Sequence, residues 1–402
     1  MNNIKQTLDN LYVKRQDDIK DWTLNRYASL NNESKFAPIY SSVDLRNSGY
    51  KIAPVDTNLF PAGFNNLTEA GKKRASLALQ QYFADRGLRI KKILLISENH
   101  TRNLPYLHNL LNLRQVISDL GIEVVIGRFD LLPDETLDLP SDAPILRAEG
   151  FSISGGELRC CSGFVPDLIL LNNDLSSGME QALEQASQSI LPNPQHGWFR
   201  RRKSNHFEAY NRLMRDFAHD FEIDSWLVST LIARCGKIDF KERVGLECVA
   251  LNVDKIIHAL KIKHAEYGIE RAPYVFVKAD NGTYGMGIMT VRSGDELLEL
   301  NKKERNKMNI IKEGVKNEEV IIQEGVPTID SYGGGAAEPL VYLVAGQVVD
   351  IFWRSNANRD DEINLNAAGM AFDALGEGEL QNSDSLKLIA SLASLASNME
   401  EN

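Results

Sequence analysis

Between Thr68 and Asp174 the chain repeats one pattern that leaves few folds open. TEAGKKRASLALQQYFADRG has helical apolar spacing and stops at Gly87. KKILLIS is a short, unbroken apolar run. LPYLHNLLNLRQVISDLG is helical again and stops at Gly121. IEVVIGRF follows and, after a less regular segment bearing glycines and cysteines, PDLILLNND. Strands that are apolar on both faces and alternate with helices are the signature of a parallel α/β unit. Ligands of such sheets gather at the C-terminal strand ends. Here those ends are ISENHTRN (96–103) and LNNDLSSG (171–178), both dense in hydrogen-bonding side chains.

The flanking segments are less periodic. Ile4, Leu8, Leu11 and Tyr12 recur at helical spacing within residues 1–35. Tyr40 to Leu67 is rich in Asn, Asp, Gly and Pro and reads as an extended loop, with Leu59, Phe60, Phe64 and Leu67 arguing against disorder. After Pro194, GWFRRRKSNHFEAYNRLMRDFAHDF is a basic turn entering a helix, and a mostly helical stretch continues to about Ile269. Arg271 to about Gly378 is β-rich with many glycines, and SLKLIASLASLAS closes the chain as a helix. At 402 residues the chain is too long for one ordinary core. The expected fold is α/β plus α+β: a parallel α/β domain over 1–195, then a domain with antiparallel sheets over 196–402.

Charge and cysteine usage exclude several classes. A formal net charge of -10 argues against nucleic acid or an anionic membrane as the main partner. No segment is long and apolar enough to span a bilayer, and the N-terminus has no signal-peptide pattern. Cys160, Cys161, Cys235 and Cys248 form neither a disulfide framework nor a zinc-type pair. The expectation is a cytoplasmic protein acting on small molecules, with homo-oligomerisation left open.

One loop carries a chemical signal. In VFVKADNGTYGMGIMTV (275–291) a strand lysine, Lys278, precedes a glycine-rich turn, and a second strand follows. Tyr274, Phe276 and Lys278 share one strand face. Glycine-rich turns present backbone N–H groups that phosphates can approach closely. A Walker loop and a dinucleotide fingerprint both need a helix after the glycines, and a kinase needs H-R-D and D-F-G. What remains is a hairpin flap over phosphate, or a plain mobile hairpin. Downstream, EEVIIQEGVPT places Gln323 and Glu324 at a strand end. Glu338, Arg354 and the alternating Glu362, Asn364 and Asn366 supply oxygen ligands and a cation suited to Mg²⁺ and phosphate.

This order of parts resembles the ATP-grasp fold. VDLRNSGYKIAPVDTNLFPAGFNNL, ISENHTRN, LNNDLSSG and GWFRRRKSNHF are similar to motifs of the proteobacterial-type glutamate–cysteine ligases, in the expected order across roughly residues 40–375. The resemblance implies ATP-dependent joining of glutamate to cysteine through a glutamyl phosphate, the first step toward glutathione, with Mg²⁺ (or Mn²⁺). It implies that Lys278, Lys203 and the flap residues Gly282, Thr283, Tyr284, Gly285 and Gly287 hold ATP phosphates. Gln323, Glu324 and Val326 would form the adenine hinge, with Glu324 on the ribose. Glu338, Glu362, Asn364 and Asn366 are the metal candidates, and Arg354 would steady the transferring phosphoryl group. For the amino acids, Arg46, Arg102, Arg201 and Arg202 suit carboxylates, and Asp44, Asp56, Glu98 and Asp174 suit ammonium groups. Asn65, Asn66, Asn99, Asn172 and Asn173 would complete the polar cage. Two alternatives keep the same motifs: another carboxylate–amine ligase, or a nucleotide-binding protein without turnover, the latter suggested by a short, serine-rich C-terminus.

Overall fold

The computed structural model describes residues 4–30, 35–99, 103–140, 145–281, 287–309 and 316–401. Helix α1 (Ile4–Ser29) leads into strands β1 (Tyr40–Asn47) and β2 (Ile52–Asn58). Then come α2 (Glu69–Asp85), β3 (Lys92–Ile96), α3 (Leu104–Ser118), β4 (Glu123–Gly127), β5 (Thr136–Leu139) and β6 (Leu146–Glu149). A hairpin of β7 (Phe151–Ser154) and β8 (Glu157–Cys160) precedes β9 (Leu168–Leu171), α4 (Gln181–Gln185) and β10 (Ser189–Leu191). The second half holds α5 (Lys203–Asp220), β11 (Ile232–Gly236), α6 (Leu246–Tyr267), β12 (Val275–Ala279), β13 (Ile288–Val291), α7 (Gly294–Leu298) and α8 (Lys302–Asn309). It ends with β14 (Glu319–Glu324), β15 (Ser331–Tyr332), β16 (Gly335–Val344), β17 (Gln347–Asn356), β18 (Ala371–Ala374), α9 (Glu377–Gln381) and α10 (Asp384–Ala396).

The repeating pattern builds a sheet in the order β10-β9-β3-β4-β6-β5, parallel except for the edge strand β5. Ile93 and Leu95 face α2 and α3, while Leu94 and Ile96 face the other way. That second side is covered by the β7–β8 hairpin and Leu183 of α4, so the irregular cysteine-bearing segment does the work of a helix layer.

Tyr40 to Leu67 is not an extended loop. It folds as the β1–β2 hairpin, with Ser42 opposite Asn58 and Asp44 opposite Asp56. Its polar residues misled because they alternate with Val43, Leu45 and Val55. β1 also pairs with β16, giving the sheet β18-β17-β16-β1-β2. This sheet therefore draws strands from both sides of residue 195. It separates two cores: Val43, Leu45, Val341 and Ile351 pack toward α1, α5 and α10, whereas Tyr40, Leu340, Tyr342 and Phe352 pack toward α2 and α3.

The third sheet, β11-β14-β12-β13, is antiparallel and lies on α6. β11 falls in the stretch expected to be helical; its pairing with β14 and the packing of Cys235 on α6 decide otherwise. Alternation turns Val275 and Val277 toward α6 and leaves Phe276 and Lys278 on the opposite face. Gly325, just after β14, is held tightly: a Cβ there would lie 2.2 Å from the Tyr274 ring. Gly325→Ala is expected to lower unfolding stability by about 1–3 kcal/mol, read as a reduced denaturant midpoint with an unchanged slope.

Candidate active site

Polar residues on alternate positions of β1, β2, β16 and β17 collect where the three sheets meet. Register places Glu338 opposite Arg354. Arg354 donates from Nη1 to Asp44 Oδ2 (2.7 Å) and Glu338 Oε1 (2.9 Å), and from Nη2 to Asp44 Oδ1 (3.2 Å). Arg46 donates from Nε to the other Glu338 oxygen, Oε2, at 2.7 Å. Its remaining nitrogens reach the carbonyls of Val326, Asp361 and Ile363 at 3.2, 3.1 and 2.6 Å. The result is a chain, Asp44–Arg354–Glu338–Arg46, of two carboxylates and two guanidiniums, buried except for part of Asp44. Burial would raise the Glu338 carboxyl, but Arg46 and Arg354 together bring it below its ordinary value. Burial wins at Asp44, which is raised despite Arg354 and with Glu338 adding to the effect.

Two lysines face this chain across one cavity lined by Asp44, Arg46, Asp56, Lys203, Lys278 and Glu338, with Asn364 and Asn366 at its rim. Lys278 Nζ donates to Gln323 Oε1 at 2.8 Å and Val55 O at 3.1 Å. Burial lowers its pKa to about 8, against the pull of Asp56. Lys203, the first residue of α5, pairs with Asp56 and lies over the Trp198 ring. Burial would raise Asp56, yet Lys203, Lys278 and Arg201 hold it at about 2.

A second cavity adjoins the first, sharing Asp44, Asp56 and Asn366. Arg354, Trp198 and Asn58 contribute to its walls, and the C-terminal ends of β3 and β9 supply Glu98, Asn172 and Asp174. Those ends are tied together. Glu98 Oε1 accepts from the Asp174 backbone N–H at 3.0 Å. Tyr106 Oη donates to Asn172 O at 3.0 Å and accepts from the Glu98 N–H at 2.8 Å.

Several expected site residues are placed elsewhere. Gln323 stands behind Lys278, its amide donating to Thr230 Oγ1 at 3.0 Å. Glu324 is turned from both cavities, because neighbours on a strand face opposite ways. It is buried against Lys51 and accepts from the Leu231 N–H at 2.9 Å, on the face opposite Lys278. Val326 offers its carbonyl to Arg46. Arg201 is spent on Glu400 and on Thr57 O (2.6 Å), and Arg202 pairs with Glu319. Asn65 and Asn66 bond to each other in a short turn, Asn173 bridges Ser97 O and the Leu175 N–H, and exposed Asn99 accepts from Arg128; none lines either cavity. Residues 359–367 form turns instead of an extended strand. Glu362 consequently pairs with Arg271 and Arg292 and lines an open groove along β13, which Asn364 and Asn366 also reach. Gly287 has φ +61 and accepts from the Ala279 N–H at 2.9 Å. Gly282, Thr283, Tyr284, Gly285 and Arg102 lie outside the described residues.

The donor set fits a hard divalent cation held jointly with a substrate's phosphates. Among the described residues no three His, Cys, Asp or Glu side chains group as a self-sufficient metal site. Mg²⁺ does not require one, since it takes one or two carboxylates plus phosphate oxygens and water. Asp44, partly exposed, and Glu338, buried, are neighbouring carboxylates, and with the Asn364 and Asn366 amides they are oxygen donors of that kind.

The glutamate–cysteine ligase family profile matches residues 9–400. The chain belongs to that family. Its reaction is accordingly the joining of glutamate to cysteine. A solved structure of a protein from Methylobacillus flagellatus KT, taken to be a gamma-glutamylcysteine synthetase, is similar at 37% identity and a TM-score of 0.87, over 98% of this chain and 95% of that one. D-alanyl-alanine synthetase A from Vibrio cholerae O1 biovar eltor shows a TM-score of 0.30 at 10% identity, over 62% of this chain and 66% of that one, too weak to bear on the fold. No curated protein matches by sequence. No helix among the described residues is long and apolar enough to cross a membrane.

For this glutamate–cysteine ligase, the sequence reading missed Asn58, Tyr106, Thr230, Lys51 and Glu400. A signal existed for Asn58: S-x-D in β1 and D-x-N in β2 are period-two patterns flanking the turn at Ser48–Lys51. Lys51 and Glu400 carried none: Lys51 stands before an apolar run and Glu400 is one of two adjacent glutamates.

Proposed function

We propose that ATP enters along the β13 groove with its triphosphate beside Lys278 and Lys203, and that glutamate and cysteine occupy the adjoining cavity. In this reading residues 196–402 supply an ATP-grasp nucleotide site and the parallel α/β part presents the amino acids. The observation that carries it is two adjoining cavities that share Asp44 and Asp56. One gathers Lys203, Lys278 and Arg46 beside Glu338; the other has Glu98 and Asp174 at the strand ends, with Arg354 in its wall.

The chemistry follows from that placement. A carboxylate oxygen is a poor leaving group, so the glutamate side chain is first phosphorylated, and the cysteine amine then displaces phosphate from the acyl carbon. Such phosphoryl transfer asks for positioning and charge neutralisation more than for a protein nucleophile. Lys278 and Lys203 meet phosphate oxygens, with Lys203 exchanging Asp56 for its ligand. Arg354, held in position by Asp44 and Glu338, faces the transferring group. Glu98 and Asp174 receive an ammonium. Asn364, Asn366, Asp44 and Glu338 would hold Mg²⁺, which would further neutralise the triphosphate.

The direct test is ADP release with ATP, Mg²⁺, glutamate and cysteine. Both amino acids should be required, and turnover with a different acid–amine pair in their place would overturn the substrate assignment. A pH profile tests the lysine. The charged form binds phosphate and prevails below about pH 8 in the free enzyme. kcat/KM for ATP should therefore fall as pH rises through about 8, and Lys278→Arg should remove that alkaline limb, because arginine stays protonated.

A further inference from the structure

Cys235 and Cys248 stand apart from both cavities, yet their sulfurs lie 2.9 Å from each other. The backbone arranges this meeting. β11 turns Ala233 and Cys235 toward α6, while Ile232 stands opposite Gln323. Cys248 lies in the first turn of α6 and is exposed, whereas Cys235 is buried. Asn252, one turn on, donates to Cys235 Sγ at 3.1 Å and to the Cys248 carbonyl at 3.1 Å, fixing the helix face against the strand.

We propose that Cys235 and Cys248 form a reversible intramolecular disulfide by exchange with low-molecular-weight disulfides, tying the edge strand β11 to α6. A disulfide needs its sulfurs at about 2.05 Å, so the closure required is under about an ångström, within reach of side-chain rotation. The Cys248 thiolate attacks one sulfur of a small disulfide RSSR, and the expelled thiolate takes a proton as RSH. Cys235 then gives up its proton and attacks the Cys248 sulfur, expelling the second RSH. Two protein thiols lose two electrons and two protons, and RSSR gains both. Burial, with the Cys248 contact adding to it, pushes the Cys235 thiol up to about 12, which makes exposed Cys248 the point of entry. Cystine, the oxidised form of the cysteine this family consumes, is an oxidant of the right class. The bond would act close to the lysine site: Thr230, just ahead of β11, holds Gln323, and Gln323 holds Lys278.

The test uses the full chain. It is incubated with cystine, free thiols are blocked with N-ethylmaleimide, and peptides are read by mass spectrometry. A Cys235–Cys248 cross-linked pair that disappears with dithiothreitol is expected. The Cys235→Ser variant should stop at a mixed disulfide on Cys248, and the Cys248→Ser variant should leave Cys235 unmodified. Wild-type chain with maleimide on Cys248 and no cross-linked peptide, or with a lasting mixed disulfide at Cys248, would overturn the proposal.

Discussion

Lys278→Ala is expected to lower kcat/KM for ATP by about 10²- to 10³-fold while the protein remains folded, as measured by steady-state ADP release beside a denaturant titration. The two halves of this expectation have one cause. Lys278 is buried among Val55, Phe276 and Gln323, and that burial lowers its pKa from 10.5 to about 8. The folded state thus holds the charge at a cost of roughly 3 kcal/mol, which a bound triphosphate would offset. Alanine removes the cost together with the function. A further readout follows. The unfolded chain keeps this proton to higher pH, so unfolding binds protons between about pH 8 and 10.5, and wild-type stability should gain from this group as pH rises through that window. The gain should be missing in Lys278→Ala. A variant with near-normal turnover would show that Lys278 does not meet phosphate.

Glu400→Ala is expected to cost about 3–5 kcal/mol of stability, because it strands a buried cation. Glu400 accepts from Arg201 Nε at 2.9 Å and Nη2 at 2.7 Å, and it is bonded to His206 Nδ1 at 2.8 Å. All three side chains are almost fully buried. Burial would raise the Glu400 carboxyl, but Arg201 and His206 bring it from 4.5 to about 2. With the folded value below the unfolded one, the contribution is present above about pH 4.5 and is lost as pH falls toward 2. Wild type should therefore lose stability over that acid window, and Glu400→Ala should lose less. Arg201 and His206 flank Lys203 at the start of α5 and Arg201 lies over Trp198, so the variant should also raise the KM for ATP. Unchanged unfolding free energy would refute the role of the pair.

How much of this was legible in sequence differs by element. The parallel sheet was legible because Ile93–Ile96 and Leu168–Leu171 are apolar on both faces, and the first of them sits between helices stopped by Gly87 and Gly121. The β1–β2 hairpin was not, because Ser42, Asp44, Asp56 and Asn58 point into a polar cavity and erase the usual apolar-in, polar-out signature. Lys278 was legible from its position before the glycines. The face taken by Glu324 was not legible for a local reason: one step along a strand reverses the face, and spacing alone could not tell which of Gln323 and Glu324 looked toward Lys278. Arg201 had the composition of a substrate arginine, but its partner lies 199 residues away.

The sequence by itself determined the family, the α/β unit, and the residue types available for phosphate and ammonium, since these rest on local pattern and motif order. Tertiary structure alone decided which charges are free to meet a ligand. Arg201 is taken up by Glu400, 199 residues away, whereas Arg46 and Arg354 keep a place in the cavity walls while paired with Glu338 and Asp44; long-range register and burial settle which of these holds.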